Sequence, residues 1–250
     1  MVRVLHIESV DDVAFALADA GVSVGRPVVV MVGGAAGMDG DSVATLETLL
    51  QQAVLPIVDE LGGVVVDGGT DSGVMRATGR SRAAADFRFP LIGVAVAVTV
   101  IGGAARVIDD AAEIEPNHGL VLLVPGSSWG DEVPWLSDVA TVIAQDAPSV
   151  TILVNGGDIA YDDVAASHAR GRPVLVLAGT GRTADAIAAA DGTRSTDPRA
   201  AVLASSNRTL VTDFEDVDAV IATLERILRG PAGIGPGAGP TAGPPHSRRM

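Results

Sequence analysis

Glycine-rich turns follow four runs of apolar residues, and they are the part of the sequence best suited to chemistry. They read VGG at 32–34, DGGTDSG at 67–73, VNGG at 154–157 and AGTGRTAD at 178–185. Glycine adopts positive φ angles and lets the main chain approach a ligand without a Cβ in the way. A helix that begins after such a turn presents unpaired N–H groups and the positive end of its dipole. The four turns therefore predict a site where main-chain atoms hold a phosphate or a ribose.

The candidate ligand-binding residues belong to these turns and to the end of one long loop. Those in the turns are Gly33, Gly34, Gly68, Gly69, Thr70, Asp71, Gly73, Asn155, Gly156, Gly157, Gly179, Thr180, Gly181, Arg182 and Asp185. Arg182 follows Gly181 at a predicted helix start, where a guanidinium can pair with a diphosphate. Asn117 and His118 end the loop and are candidates for ligand contact. In any single turn glycine can also serve chain geometry alone, and that alternative stays open.

The stretch GTGRTA at 179–184 matches the dinucleotide fingerprint G-x-G-x-x-A only in part. The acidic residue expected at the end of the next strand is missing, because Asp197 falls in a predicted loop and Asp213 is too far along the chain. We therefore predict a nucleotide ligand but no redox cofactor. Cysteine is absent and the four histidines form no His-x-His or His-x-x-x-His pair, so we predict no metal site.

A second polar stretch, SSWGDE at 127–132, follows another predicted strand. The ring of Trp129 could stack on an adenine or could pack as a lid over the core. Glu132 could act as a general base or could cap the helix that follows.

Eight short apolar runs predict the strands that carry these turns. They lie at 2–7, 27–32, 63–67, 90–98, 119–125, 149–154, 173–178 and 208–213. Most are continuously apolar, which is typical of parallel strands covered by helices on both faces. Helical periodicity occurs near 11–20, 42–61, 73–85, 135–146, 160–170, 182–190 and 215–229, with a kink predicted at Pro56. The alternation predicts a Rossmann-like, doubly wound α/β fold with a mainly parallel sheet.

The same pattern predicts one domain and one tail. Residues 1–229 form the predicted domain, and the Gly/Pro/Ala-rich segment 230–250 is predicted to be disordered. The segment 191–207 is predicted to be mostly loop. The long connection at 99–118 follows a strand end, a position that often contributes to a binding site.

Charge and composition narrow the classes of function. The net charge of −14 argues against nucleic-acid binding, and all seventeen basic residues are arginine, which excludes a Schiff-base lysine and a Walker A lysine. No apolar run reaches the roughly 18 residues that span a bilayer, and no signal peptide is recognisable. We therefore expect a cytoplasmic protein with a small-molecule partner. A homo-oligomer is compatible with the sequence.

Three motifs resemble a known family and occur in the family's order. They are Gly-Gly-Thr-x-x-Gly-Val-Met at 68–75, Pro-Asn-His at 116–118 and Gly-x-Gly-Arg-x-x-Asp at 179–185, within a similarity that covers roughly 27–190. The chain resembles the SLOG superfamily, in particular prokaryotic relatives of the N-terminal cytosolic domain of melastatin-type (TRPM) channels. The resemblance implies a Rossmann-like sensor domain that binds NAD metabolites such as ADP-ribose. We therefore favour binding over catalysis, and enzymatic activity stays an open alternative.

Two alternative functions remain open: a glycosidic-bond hydrolase and a structural or partner-binding module. The superfamily includes cytokinin-activating phosphoribohydrolases, whose characteristic motif is Pro-Gly-Gly-x-Gly-Thr. The stretch VPGSSWGDE at 124–132 begins similarly but lacks the second Gly and the Thr. This difference puts hydrolase activity in doubt. A glycosidic-bond hydrolase would need a carboxylate beside the ribose, and Asp71 or Glu132 are its candidates. A structural or partner-binding module would use the glycines for turns only.

Overall fold

The computed structural model describes residues 1–34, 40–190 and 197–229, and its eight strands form one parallel sheet. They are β1 (Arg3–His6), β2 (Val28–Gly33), β3 (Val64–Asp67), β4 (Leu91–Val96), β5 (Leu120–Val124), β6 (Ser149–Val154), β7 (Val174–Ala178) and β8 (Thr209–Asp213). Their order across the sheet is β1-β5-β4-β3-β2-β6-β7-β8. The predicted Rossmann-like fold is confirmed. The predicted disorder of 230–250 lies outside the described residues.

Helices connect the strands and cover both faces of the sheet. They are α1 (Val10–Asp19), α2 (Gly40–Leu49), α3 (Leu55–Glu60), α4 (Gly73–Ala84), α5 (Val133–Ala144), α6 (Asp158–Ala169), α7 (Arg182–Ala188), α8 (Pro198–Ala204) and α9 (Val217–Leu228). None of the helices in the described ranges is long and apolar enough to cross a bilayer.

Two apolar cores lie on opposite faces of the sheet because side chains alternate along each strand. Val28 and Val30 of β2 belong to a core that also contains residues of α1, α5, α6, α7 and α8. Val29 and Met31 of the same strand belong to a second core, which contains residues of α2, α3, α4 and α9. The continuous apolar runs of the six inner strands therefore reflect burial on both sides, whereas the edge strands β1 and β8 are partly exposed.

The helix predicted at 42–61 contains a π-helical turn directly before the helical segment that carries its proline. A π-helical turn at Leu50–Val54 separates α2 from α3, and Pro56 lies in the first turn of α3. Proline has no N–H and its ring clashes with the carbonyl four residues earlier. The wider π-helical turn accommodates the proline without ending the helical path.

The prediction that 191–207 is mostly loop is wrong for its second part. Asp197 caps α8 by accepting a hydrogen bond of 2.8 Å from the Arg199 main chain, and Pro198 occupies the first helical position. Ala200 and Leu203 are buried in the core on that face. Seven residues are too few to display a clear helical period, so this helix gave almost no signal in the sequence.

The strand order places a topological switch point between β2 and β6. From β2 the chain adds β3 and β4 on one side, and β6, β7 and β8 follow on the other side. Helices α2, α3 and α4 pack on one face, whereas α5 and α6 pack on the other. The connections therefore diverge above the carboxyl ends of β2 and β6, which is where open α/β sheets form a ligand crevice.

Candidate functional site

A cavity of about 660 Å³ opens at this switch point. Its volume falls within the range of about 300–1,000 Å³ that small-molecule sites occupy. Six of the residues predicted to bind ligand line it: Gly33, Gly34, Gly68, Thr70, Gly157 and Arg182. They come from the ends of β2, β3 and β6 and from the start of α7. The sequence therefore predicted the sheet edge that carries the cavity.

Two helix N-termini meet at the cavity without side-chain caps. Ser72 precedes α4 and Gly157 precedes α6, and in neither helix does the N-cap side chain accept a main-chain hydrogen bond. Thr70, Ser72, Asp158 and Gly157 line the cavity. The N–H groups of a first turn and the positive end of the helix dipole favour an anion there.

Arg182 brings a positive charge to the start of α6. A Cβ built at Gly157 would lie 3.1 Å from Nη2 of Arg182, so the guanidinium lies directly against that turn. Arg182 adopts φ +48°, an uncommon conformation for a residue other than glycine. The turn after β7 thus holds a strained residue whose side chain is directed to the neighbouring turn after β6.

Close packing of main chains explains several of the glycines. At Gly33 a Cβ would lie 2.0 Å from the carbonyl oxygen of Val154. At Gly69, which has φ +69°, a Cβ would lie 2.9 Å from Cα of Gly93. The two glycines are thus required by the fold itself, and Gly33 also lines the cavity.

The other predicted ligand residues do not line the cavity. They are Gly69, Asp71, Gly73, Asn117, His118, Asn155, Gly156, Gly179, Thr180, Gly181 and Asp185. Most of the polar side chains among them stabilise the turns or pair with neighbouring residues, whereas Oδ1 of Asn155 is buried with no hydrogen-bond partner among the described residues. Oδ1 of Asp185 accepts a bond of 2.7 Å from the Gly179 N–H, and Thr180 Oγ1 accepts one of 2.8 Å from the Asn155 N–H. Asp71 pairs with Arg76 at 2.7 Å.

His118 lies in a buried cluster of charged side chains beside the cavity. Its Nε2 is 2.8 Å from Oδ1 of Asp67, and its Nδ1 is 2.9 Å from Oε2 of Glu115. Glu115 also accepts bonds of 2.8 Å and 2.6 Å from the main chain and side chain of Asn117. The three charged side chains are at most 1% exposed. Asn117 and His118 therefore hold this loop in place in the structure.

The cluster fixes the turn that follows β3. Oδ1 of Asp67 accepts a bond of 2.7 Å from the Gly69 N–H, and the Glu115 N–H donates to the Gly69 carbonyl at 3.0 Å. Burial alone would lower the pKa of His118, but the charges and hydrogen bonds of Asp67 and Glu115 raise it to about 9. The imidazolium therefore neutralises part of the buried negative charge at neutral pH.

Among the residues that the structure describes, four carboxyl groups also line the cavity: Asp110, Glu132, Asp158 and Asp163. Burial is the main cause that raises the pKa of Glu132. Burial, followed by the charge of Glu132, raises the pKa of Asp163 to about 8. Glu132 was predicted as a candidate residue, but the other three were not. The position of Asp158 directly after the Gly156-Gly157 turn is the one local feature that indicated a place in the site.

Trp129 lies on the cavity wall and joins two loops across its rim. Its Nε1 donates to Oδ2 of Asp110 at 3.2 Å, which links the turn after β5 to the long connection at 99–118. That connection therefore contributes to the cavity through Asp110 and Ala112. Within the parts of the chain that the structure describes, no three His, Asp or Glu side chains cluster in a way that could hold a metal ion.

Comparison with solved structures supports the same fold. The molybdenum cofactor carrier protein of Chlamydomonas reinhardtii is 17% identical, with a TM-score of 0.53 over 82% of this chain and 99% of that one. The molybdenum cofactor binding protein of Rippkaea orientalis, a phototrophic bacterium, is 14% identical, with a TM-score of 0.51 over 80% of this chain and 97% of that one. No curated protein gives a significant match. The family model described as SLOG in TRPM, prokaryote, matches residues 26–222, and the chain belongs to that family.

Proposed function

We propose that this protein binds an NAD-derived nucleotide such as ADP-ribose in the cavity at the switch point. The observation that carries the proposal is the convergence of two uncapped helix N-termini and the Arg182 guanidinium on one cavity. A diphosphate is the ligand group that such an arrangement favours, because main-chain N–H groups and a guanidinium can neutralise it together. The apolar part of the wall is suited to the base.

Arg182→Ala tests the phosphate contact. Loss of a charge-assisted hydrogen bond should weaken ADP-ribose binding by about 1.5–3 kcal/mol, as measured by calorimetric titration. The fold should remain intact, because Arg182 is exposed at a helix start. Arg226→Ala on α9 is the matched control, since it removes the same charge from another exposed helix position. Equal affinities of wild type and Arg182→Ala would disprove the role of Arg182.

The ligand panel should also contain NAD, AMP and the molybdenum cofactor. Two proteins with this fold are named for the molybdenum cofactor, so that cofactor is the rival ligand. A ligand present at 100 times its Kd should raise the stability of the folded state by about 2.7 kcal/mol, which a thermal-shift measurement detects. Stabilisation by the molybdenum cofactor but not by ADP-ribose would overturn the proposal in favour of that rival.

Hydrolysis of a glycosidic bond is a second candidate function, and one observation favours it. Glu132 lines the cavity with a raised pKa, as a general acid requires, whereas Asp71 lies outside the cavity in an ion pair with Arg76. Incubation with AMP, NAD and ADP-ribose should release a free base if the protein is such an enzyme. Glu132→Gln should then abolish the release without abolishing binding.

A further inference from the structure

Asp163 differs from the other carboxyl groups of the cavity in that no described residue forms a hydrogen bond with its side chain. Asp110 accepts a bond from Trp129 Nε1, Glu132 accepts one of 2.9 Å from the Gly130 N–H, and Asp158 accepts one of 3.1 Å from Arg199. In the described ranges no residue donates a hydrogen bond to Asp163. Asp163 is half-buried and lies on the cavity wall, so its carboxyl group is accessible to a ligand there.

The surroundings of Asp163 are suited to a flat ring. Val32, Leu136 and Ala160 line the same cavity, and Trp129 adds an aromatic surface to its wall. An apolar wall with a few polar groups is typical of sites that bind heterocycles. Trp129 is held in orientation by its bond to Asp110, so its ring is available for stacking.

The charges that face Asp163 favour its neutral form. Glu132 at the start of α5 and Asp162 on α6 both act on it, and their negative charges add to the effect of burial. Within the described ranges, Asp110, Asp158 and Arg182 are the other charged residues on the cavity wall. With a pKa of about 8, Asp163 is mostly protonated at pH 7. It then offers an O–H donor beside a C=O acceptor.

We infer that Asp163 binds the base of the ligand as a carboxylic acid, donating to ring N1 of an adenine and accepting from its 6-amino group. Adenine presents an acceptor beside a donor on this edge, which a carboxylic acid complements with two hydrogen bonds. An ionised carboxylate offers two acceptors and complements a guanine edge, where two donors lie side by side. The inference rests on the proposed nucleotide binding and adds the group that recognises its base.

The pH dependence of binding tests this assignment. The affinity of wild type for ADP-ribose should fall about tenfold between pH 6.5 and pH 9, because only about a tenth of Asp163 is protonated at pH 9. The affinity for guanosine diphosphate ribose should rise over the same interval. Opposite slopes cannot come from a change in the whole protein, such as deprotonation of His118, which would weaken both ligands together.

Two substitutions of Asp163 complete the test, with ADP-ribose and its guanosine analogue as probes in calorimetric titration. Asp163→Leu should weaken ADP-ribose binding at pH 6.5 by about tenfold or more, because both hydrogen bonds are lost. Asp163→Asn keeps a donor beside an acceptor at every pH, so it should bind ADP-ribose about tenfold more tightly than wild type at pH 9. Asp218→Asn, on the exposed surface of α9, is the control for the change of charge.

The outcomes separate this inference from the proposed function. If wild type binds ADP-ribose but Asp163→Asn shows the same pH profile as wild type, the role of Asp163 is disproved and nucleotide binding stands. Parallel pH slopes for the two ligands in wild type would also overturn it. If wild type binds neither ligand at pH 6.5, the proposed function fails and the inference fails with it.

Discussion

At the scale of the residue, the Pro-Asn-His motif was interpreted as a ligand contact, but its His118 belongs to a buried cluster with Asp67 and Glu115. The sequence places His118 in a loop, and its partner Asp67 lies 51 residues earlier at the end of β3. Nothing local in the sequence indicates that pairing. Both ring nitrogens of His118 face carboxylates, so in the structure it stabilises the turn beside the cavity.

Replacement of His118 should lower the stability of the protein, because its positive charge neutralises buried carboxylates. His118→Gln should destabilise the protein at pH 7 by about 3–5 kcal/mol, because two buried carboxylates lose their cation. The folded-state pKa of about 9 exceeds the ordinary value of 6.5. The stabilisation is therefore fully present below pH 6.5 and is lost as the pH rises through about 9. Urea unfolding at several pH values measures both effects.

The control for this prediction is His6→Gln, at an exposed position of β1. It should leave the stability of the protein within about 0.5 kcal/mol of wild type. Between pH 6.5 and pH 9.5 the wild type should lose more stability than His118→Gln. Equal losses would mean that His118 is not protonated in the folded protein.

At the scale of the element, periodicity located the strands and most helices but not the short helix α8. Each strand of the sheet overlaps a predicted apolar run. The six inner strands are buried on both faces, which leaves a continuous signal, whereas the edge strands β1 and β8 are partly exposed. Helix α8 has seven residues, and only Ala200 and Leu203 of it are buried. The start of α8 is indicated in the sequence only by Asp-Pro at 197–198, an N-cap residue followed by a proline, and this pair was attributed to a loop.

Leu203 and its neighbour Val202 test whether α8 packs as a helix. Leu203 is buried in the core, whereas Val202 is 69% exposed. Leu203→Ala should cost about 2–5 kcal/mol of unfolding free energy, and Val202→Ala less than about 0.5 kcal/mol. Chemical denaturation of the two variants gives the difference. Similar small effects would indicate that 197–204 behaves as the loop that the sequence suggested.

The interaction between the acidic residues of the cavity could not be predicted from the sequence. Glu132 precedes α5 and Asp163 lies in the second turn of α6, so their interaction depends on how the two helices pack against each other. Periodicity predicts which face of a helix is buried, but not which residue of the next helix it meets. The glycine turns were predictable because strand ends of a parallel sheet share one edge by construction.

At the scale of the whole molecule, the net charge opposes the ligand that the site is proposed to bind. The chain carries −14, and four carboxyl groups of the described residues line the cavity beside the guanidinium of Arg182. A nucleotide diphosphate is therefore repelled at a distance and attracted only near the helix N-termini. Salt screens the long-range repulsion over about 10 Å at 0.1 M, while contacts within a partly enclosed cavity are screened less.

The association rate of ADP-ribose should therefore rise with salt, by about threefold or more between 0.02 M and 0.3 M. Stopped-flow tryptophan fluorescence measures this rate, since Trp129 lies on the cavity wall. Adenosine has no charge, and its rate should stay constant over the same range. A rate for ADP-ribose that falls with salt would mean that the positive field around Arg182 extends beyond the cavity and guides the ligand in. In that case Arg182→Ala should slow association at low salt. If the whole molecule repels the ligand instead, Arg182→Ala should change mainly the dissociation rate.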